Sequence, residues 1–185
     1  MTRLCHRYFS TVLTFIAWSG LLLPTANALP QSEILTQLQM GESRTFCVDS
    51  AKMSNATGLC LQAGAHYEFS VAPGATWCDA KIQTDANGWT ACDARRIVRP
   101  LIRAAEPNRR CPEANWFELI GSIEGASCFR IGCRGTGWTL TPQRDGQLIA
   151  FANDVPTRYG NNRGSIWVTV KRVSNPAKPL PTCCN

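Results

Sequence analysis

The sequence predicts an all-β fold, a jelly-roll β-sandwich stapled by disulfides. Three observations carry that prediction. From Arg44 onward apolar and polar residues alternate with a period of two, the pattern of strands with one buried face. Turn residues separate the alternating runs at Gly64, Pro73-Gly74 and Asn87-Gly88. The chain is short, 185 residues, and holds 10 Cys, 14 Gly and 11 Pro, a composition that suits one turn-rich, cross-linked domain better than a helical bundle. With 44% hydrophobic and 17% charged residues, neither a disordered nor a fibrous chain is expected.

The elements follow in order. Residues 1–28 read as a cleavable secretory signal. Arg3, His6 and Arg7 make a basic start, Thr11–Leu23 is apolar, and Ala26-Asn27-Ala28 is a small-residue cleavage site. Cleavage there leaves 157 residues with 17 basic and 13 acidic side chains, a net charge of +4. No later stretch approaches the length of a membrane span, so a secreted or periplasmic protein is expected. Residues 29–43 form a leader. Ile34, Leu35 and Leu38 fall at helical spacing and allow a short N-terminal helix. The domain proper is expected over 44–173.

Thr45–Val48, Leu59–Leu61 and Tyr67–Val71 read as strands. Trp116–Ile123 follows, then Cys128–Ile131 and Thr136–Thr141. Gln147–Ala152 is almost continuously apolar and reads as a central strand covered on both faces. Gly164–Lys171 alternates cleanly, with Ile166, Val168 and Val170 on one face and Trp167 on the other. Trp77, Trp89, Trp116 and Trp138 suit a sandwich core or a sugar-stacking surface. Residues 174–185 are a tail containing Pro and Cys.

Removal of the signal leaves nine cysteines, of which eight can pair in an oxidising compartment. The vicinal Cys183-Cys184 is the expected home of the odd thiol. Cys128 and Cys133 flank Gly132 and could staple a local turn. No C-x-x-C spacing occurs, which argues against a thioredoxin-like motif and a zinc ribbon. His66 is the sole histidine after cleavage, so no His-rich metal site can form. No nucleophile–base pair stands out, and no enzyme is expected. Glu113 and Glu118 could be imagined as a glycosidase pair, but their spacing does not support it and Glu118 is expected to face solvent. Asn55-Ala56-Thr57 matches a glycosylation sequon.

One segment breaks the strand pattern. Ala94–Arg110 holds six Arg and one Glu, a net of +5, so the rest of the cleaved chain nets −1. Arg95, Arg99 and Arg103 share a helical face, while Pro100 forbids a regular helix through the middle. Two readings stand. The segment binds acidic polysaccharide or membrane phosphate, or it is a solvated edge whose arginines pair locally with Asp93, Glu106 and Glu113.

The stretch Asn153–Ser165 gathers hard oxygen donors between two strong strands. Asp154 offers a carboxylate, and Asn161 and Asn162 offer amide oxygens. Pro156 and Gly160 turn the chain, so carbonyls must leave the strand ladder. Calcium takes about six to eight such oxygens and needs no histidine. The same residues would serve equally as an ordinary turn.

Gly146–Val170, with its run Asn153-Asp154-Val155-Pro156, Tyr159-Gly160-Asn161-Asn162 and Gly164-Ser165, closely resembles the calcium-dependent galactose-binding lectins of the PA-I galactophilic type. That resemblance implies a small jelly-roll of the galactose-binding kind, a lectin-like domain over 44–173, and sugar held through a bound Ca2+. It places the metal ligands on Asp154, Asn161, Asn162 and the backbone carbonyl of Arg158, where the family has Thr. A further ligand falls in Trp77–Ala80, with Asp79 as a side-chain candidate. The implied sugar contacts are Asp154, Asn161 and Asn162. The family's His-Pro-Asp-Gln stretch has no counterpart here. Cys111–Asn115 holds a comparable position, with Pro112 and Glu113 as sugar-contact candidates. The expected partner is a galactose-like sugar or another glycan, not nucleic acid, and a homo-oligomer is allowed.

Overall fold

The computed structural model describes residues 35–124, 127–132 and 138–175. The signal segment, Cys133 and the C-terminal tail with Cys183 and Cys184 lie outside the described residues.

Two sheets face one another across a shared core. The first has five strands: β1 (Thr36–Gln37), β3 (Asn55–Leu61), β10 (Gly146–Ala152), β7 (Leu119–Ile123) and β8 (Cys128–Arg130), in that order. The second has four: β2 (Ser43–Asp49), β12 (Ser165–Ser174), β4 (His66–Val71) and β9 (Trp138–Leu140). A small third sheet orders β11 (Asn162–Arg163), β5 (Trp77–Asp79) and β6 (Ile82–Thr84). Consecutive strands repeatedly change sheet, which makes the molecule a β-sandwich of the expected class.

The period-two pattern explains the layering. In β12 the side chains of Ile166, Val168 and Val170 are fully buried, whereas Trp167 is 56% exposed. These three buried residues share one core cluster with Val48 on β2 and Phe69 on β4 in the same sheet, and with Leu61 on β3 and Leu148 and Ala150 on β10 of the facing sheet. β12 pairs with β2 along one side and with β4 along the other. β10 likewise lies between β3 and β7, as its continuous apolar run anticipates.

Five expectations need correction. The described part of the leader is not helical: β1 pairs parallel to β3, and Leu38 is fully buried in the core. Leu38 follows directly on β1 and packs into the core. The strand foreseen from Trp116 begins only at Leu119, because Phe117 adopts φ +58 and drives its ring against Trp77, 5.3 Å between centroids. Glu118 does not face solvent. It is fully buried and ion-paired to Arg130 at 2.7 Å, with the neighbouring guanidinium nitrogen donating to both carboxylate oxygens. That pairing removes Glu118 from any glycosidase role. Finally, Cys128 bonds to Cys111, 17 residues away, not to Cys133. Cys47, Cys78 and Cys92 remain thiols, so the described cysteines do not form the fully oxidised framework that their number suggests. Asn55, the would-be glycan acceptor, is buried and donates to the carbonyls of Asp49 and Ala150.

A candidate cation site beside an apolar cleft

The connection from β10 to β12 is anchored before it reaches any functional side chain. Asn153 follows directly on β10 with its side chain fully buried. Its Nδ2 donates to the carbonyls of Cys111 and Asn115, and its Oδ1 accepts from the Cys111 amide at 2.9 Å. Tyr159 closes the loop from the other end, donating to the Ala152 carbonyl at 2.6 Å. A 3-10 turn over Tyr159–Asn161 then delivers Asn161 and Asn162. β11 pairs antiparallel with β5, and this register sets Asn162 opposite Asp79. Gly164 sits at φ +90, with Trp77 Cα only 3.2 Å from where a Cβ would stand. A side chain there would meet both a strained backbone and its neighbour.

The structure therefore brings Asp79, Asp154, Asn161 and Asn162 together. Asp154 is 3% exposed. Its Oδ1 accepts from the Val155 amide at 2.7 Å and its Oδ2 from Asn162 Nδ2 at 3.1 Å. The second Asn162 amide hydrogen goes to the Ser50 carbonyl, also at 3.1 Å. Both donors thus face acceptors, and a flipped amide would set oxygen against oxygen at both. The orientation leaves Asn162 Oδ1 buried without a partner. An orphaned buried amide oxygen costs about 1–3 kcal/mol.

Asp79 accepts from Trp89 Nε1 at 3.1 Å and from Asn161 Nδ2 at 3.5 Å. Burial pushes its carboxyl up to about 6, and the neighbouring Asp154 raises it further toward that value. Burial also raises Asp154, against hydrogen bonds from Val155 and Asn162 and the nearby Arg158 charge. Two partly buried carboxylates, an unpartnered amide oxygen and a turn carbonyl make a set of hard oxygen donors. The Arg158 carbonyl accepts the Asn161 amide at 3.3 Å. No three His, Cys, Asp or Glu side chains converge among the described residues, so the set must rest on two carboxylates and neutral oxygens. That chemistry fits calcium, a hard ion tolerant of irregular geometry, better than zinc.

A cleft of about 680 Å3 opens beside these groups. Asp79, Asp154, Asn161 and Arg158 lie on its polar side. Trp89 and Trp116 contribute an aromatic wall, stacked at 5.6 Å and joined by reciprocal backbone hydrogen bonds. The opposite wall comes from Val98 and a helix, α1 (Arg99–Ala105), through Leu101, Ile102 and Ala105. Pro100 does not interrupt this helix, since it stands in the first turn where no amide donor is needed.

Of the residues expected from sequence, Pro112 and Glu113 are exposed and do not line the cleft. The Pro112 carbonyl is bound instead by Arg109. Three contributors have roles that the sequence did not reveal: Asn153, Ser50 and Trp89. Asn153 was visible in the turn-rich run, but only the folded chain shows that its amide bridges to residues 111–115. Ser50 acts through its carbonyl, which any residue could supply, and Trp89 donates directly to Asp79, ten residues before it, a contact that only the folded chain shows.

No protein-family model matches the chain, and no curated protein matches it. Among solved structures, one described as "EclA N-terminal domain; PllA-like lectin" is similar at 20% identity and a TM-score of 0.47, covering 69% of this chain and 94% of that one. A likeness of that extent bears on neither ligand nor mechanism.

Proposed function

We propose that this chain is an exported, non-enzymatic carbohydrate-binding protein whose sugar site is organised by Ca2+. The observation that carries the reading is the buried, unpartnered Oδ1 of Asn162 beside Asp154 and Asp79. Asp79, Asp154, Asn161, Asn162 and the Arg158 carbonyl would hold the ion. A bound calcium ion supplies open coordination positions that adjacent sugar hydroxyls can fill. Asn161, on the cleft wall, would orient those hydroxyls, Asp154 would accept from them, and Asn162 would act through the ion it helps to hold. Trp89 holds Asp79 in place and, with Trp116, offers an apolar wall for the C–H face of the ring. A galactose-type sugar is the first candidate. The Cys111–Cys128 disulfide suits an oxidising compartment outside the cytoplasm. Among the described residues no helix is long and apolar enough to cross a membrane.

Isothermal calorimetry with CaCl2, followed by a glycan array with and without chelator, tests the reading. Calcium heat should appear, with affinity toward the weak extracellular range of roughly 10⁻⁴–10⁻³ M for so few formal charges. Glycan binding should vanish with chelator. Absence of calcium heat, or glycan binding that survives chelation, overturns it.

A further inference from the structure

We propose that Arg95–Arg103 is a docking surface for an anionic lipid bilayer, with Ile97 and Leu101 entering the headgroup boundary and Arg95, Arg96 and Arg103 facing lipid phosphates. Leu101 also borders the cleft beside the cation site, so this surface adjoins that cleft, but nothing in it needs a bound cation. Ile97 is 85% and Leu101 72% exposed, the two most exposed large apolar side chains among the described residues. They are four residues apart, and the chain turns helically between them: the Val98 amide bonds to the Arg95 carbonyl and the Ile102 amide to the Val98 carbonyl. The two side chains therefore project from one side. Ile102 and Ala105 pack inward on the core and fix the helix to the body.

The same segment carries exposed charge. Arg99 folds back, donating to the carbonyls of Ala94 and Cys92, and locks the turn. Arg95, Arg96 and Arg103 are exposed, and among the described residues none forms an ion pair with Asp93, Glu106 or Glu113. Asp93 is occupied by Thr90, whose amide and hydroxyl both donate to it. Glu106 is the sole acid in Ala94–Arg110, against six arginines. An unpaired basic cluster calls for an anionic partner. A soluble polyanion would satisfy the arginines but leave two large aliphatic side chains in water. An anionic bilayer satisfies both, since apolar side chains flanked by basic ones are the signature of an interfacial segment.

Co-sedimentation of the purified protein with vesicles tests this, in the presence of chelator so that calcium bridging cannot contribute. The protein should sediment with phosphatidylcholine vesicles containing phosphatidylglycerol and not with pure phosphatidylcholine, and added salt should weaken binding. Arg95→Ala/Arg96→Ala/Arg103→Ala should lose about 100-fold in affinity. Ile97→Asp/Leu101→Asp should lose about tenfold or more, with an unchanged circular-dichroism spectrum because both side chains are exposed. Equal binding to pure phosphatidylcholine, or a basic-to-alanine variant that binds as wild type, overturns the proposal. So does an Ile97→Asp/Leu101→Asp variant that keeps full vesicle and heparin binding, which would assign the surface to soluble polyanions.

Discussion

Asn162 shows how one residue is set up for a ligand. Its amide hydrogens are spent on Ser50 and Asp154, and its oxygen is left over. Asp154→Asn should abolish most calcium heat and all chelator-sensitive glycan binding while leaving the melting temperature of the calcium-free protein equal or higher, because a repelling buried charge is gone. Arg158→Ala should keep calcium binding, since only the carbonyl would be used. It should tighten it about two- to threefold, because a nearby positive charge is removed. Asp79 predicts a pH dependence. Its folded-state pKa is raised from 3.8 to about 6, so the folded chain holds a proton that the unfolded chain releases. Without metal, stability should therefore fall as pH rises from about 4 through about 6, and the penalty is complete above that. Calcium relieves it and competes with the same proton. The calcium-induced rise in melting temperature, large at pH 7, should shrink steeply below pH 6. A rise that is constant between pH 7 and pH 5 would exclude Asp79 as a ligand.

At the scale of elements, the site depends on how β10 hands the chain to its loop. The Phe117 amide bonds to the Asn153 carbonyl, and the Asn153 amide to the Glu118 carbonyl. The segment carrying Trp116 is thereby tied to the segment carrying Asp154. The buried Glu118–Arg130 pair secures the same junction, and Glu118 Oε2 also accepts from the Asn115 amide. Glu118→Ala should cost about 3 kcal/mol, because it strands a partly buried guanidinium and an amide donor. Urea denaturation reads this directly. A loss within experimental error of zero would show that the junction tolerates removal of the pair. Arg109 lies over the Trp116 ring at 5.0 Å and supports the same wall from outside the sandwich.

Across the whole molecule, one described disulfide joins the Cys111 segment to β8. Its reduction should cost about 3 kcal/mol, the loop-closure value for a span of this length. The protein should remain folded at room temperature, because the core joins both sheets without it. Thiol labelling of the native protein should modify Cys47 and Cys92, which are exposed, and leave Cys111 and Cys128 unmodified until a reductant is added. Resistance of Cys47 to labelling would mean that it is bonded in the mature protein, restoring the more oxidised arrangement that nine cysteines suggest.

Local pattern was enough for the sandwich itself. Alternation marked Ile166, Val168 and Val170 as core and Trp167 as surface, and the apolar run of Gln147–Ala152 marked a central strand, because strand period and burial are properties of neighbouring residues. The donors of the loop Asn153–Gly164 were also legible, since Asp154, Asn161 and Asn162 lie within nine positions of one another. What required the folded chain was every relation across sequence distance. The register of β11 on β5 sets Asp79 against Asn162, 83 positions on. The Ser50 carbonyl fixes the Asn162 amide, and Arg130 buries Glu118 against its local alternation. Cys128 pairs with Cys111 because β8 lies beside β7 while Asn153 and the packing on Ile120 and Phe151 hold Cys111 nearby, not because of spacing. Period reports which face a side chain takes; only the packing of one sheet on the other decides what it meets there.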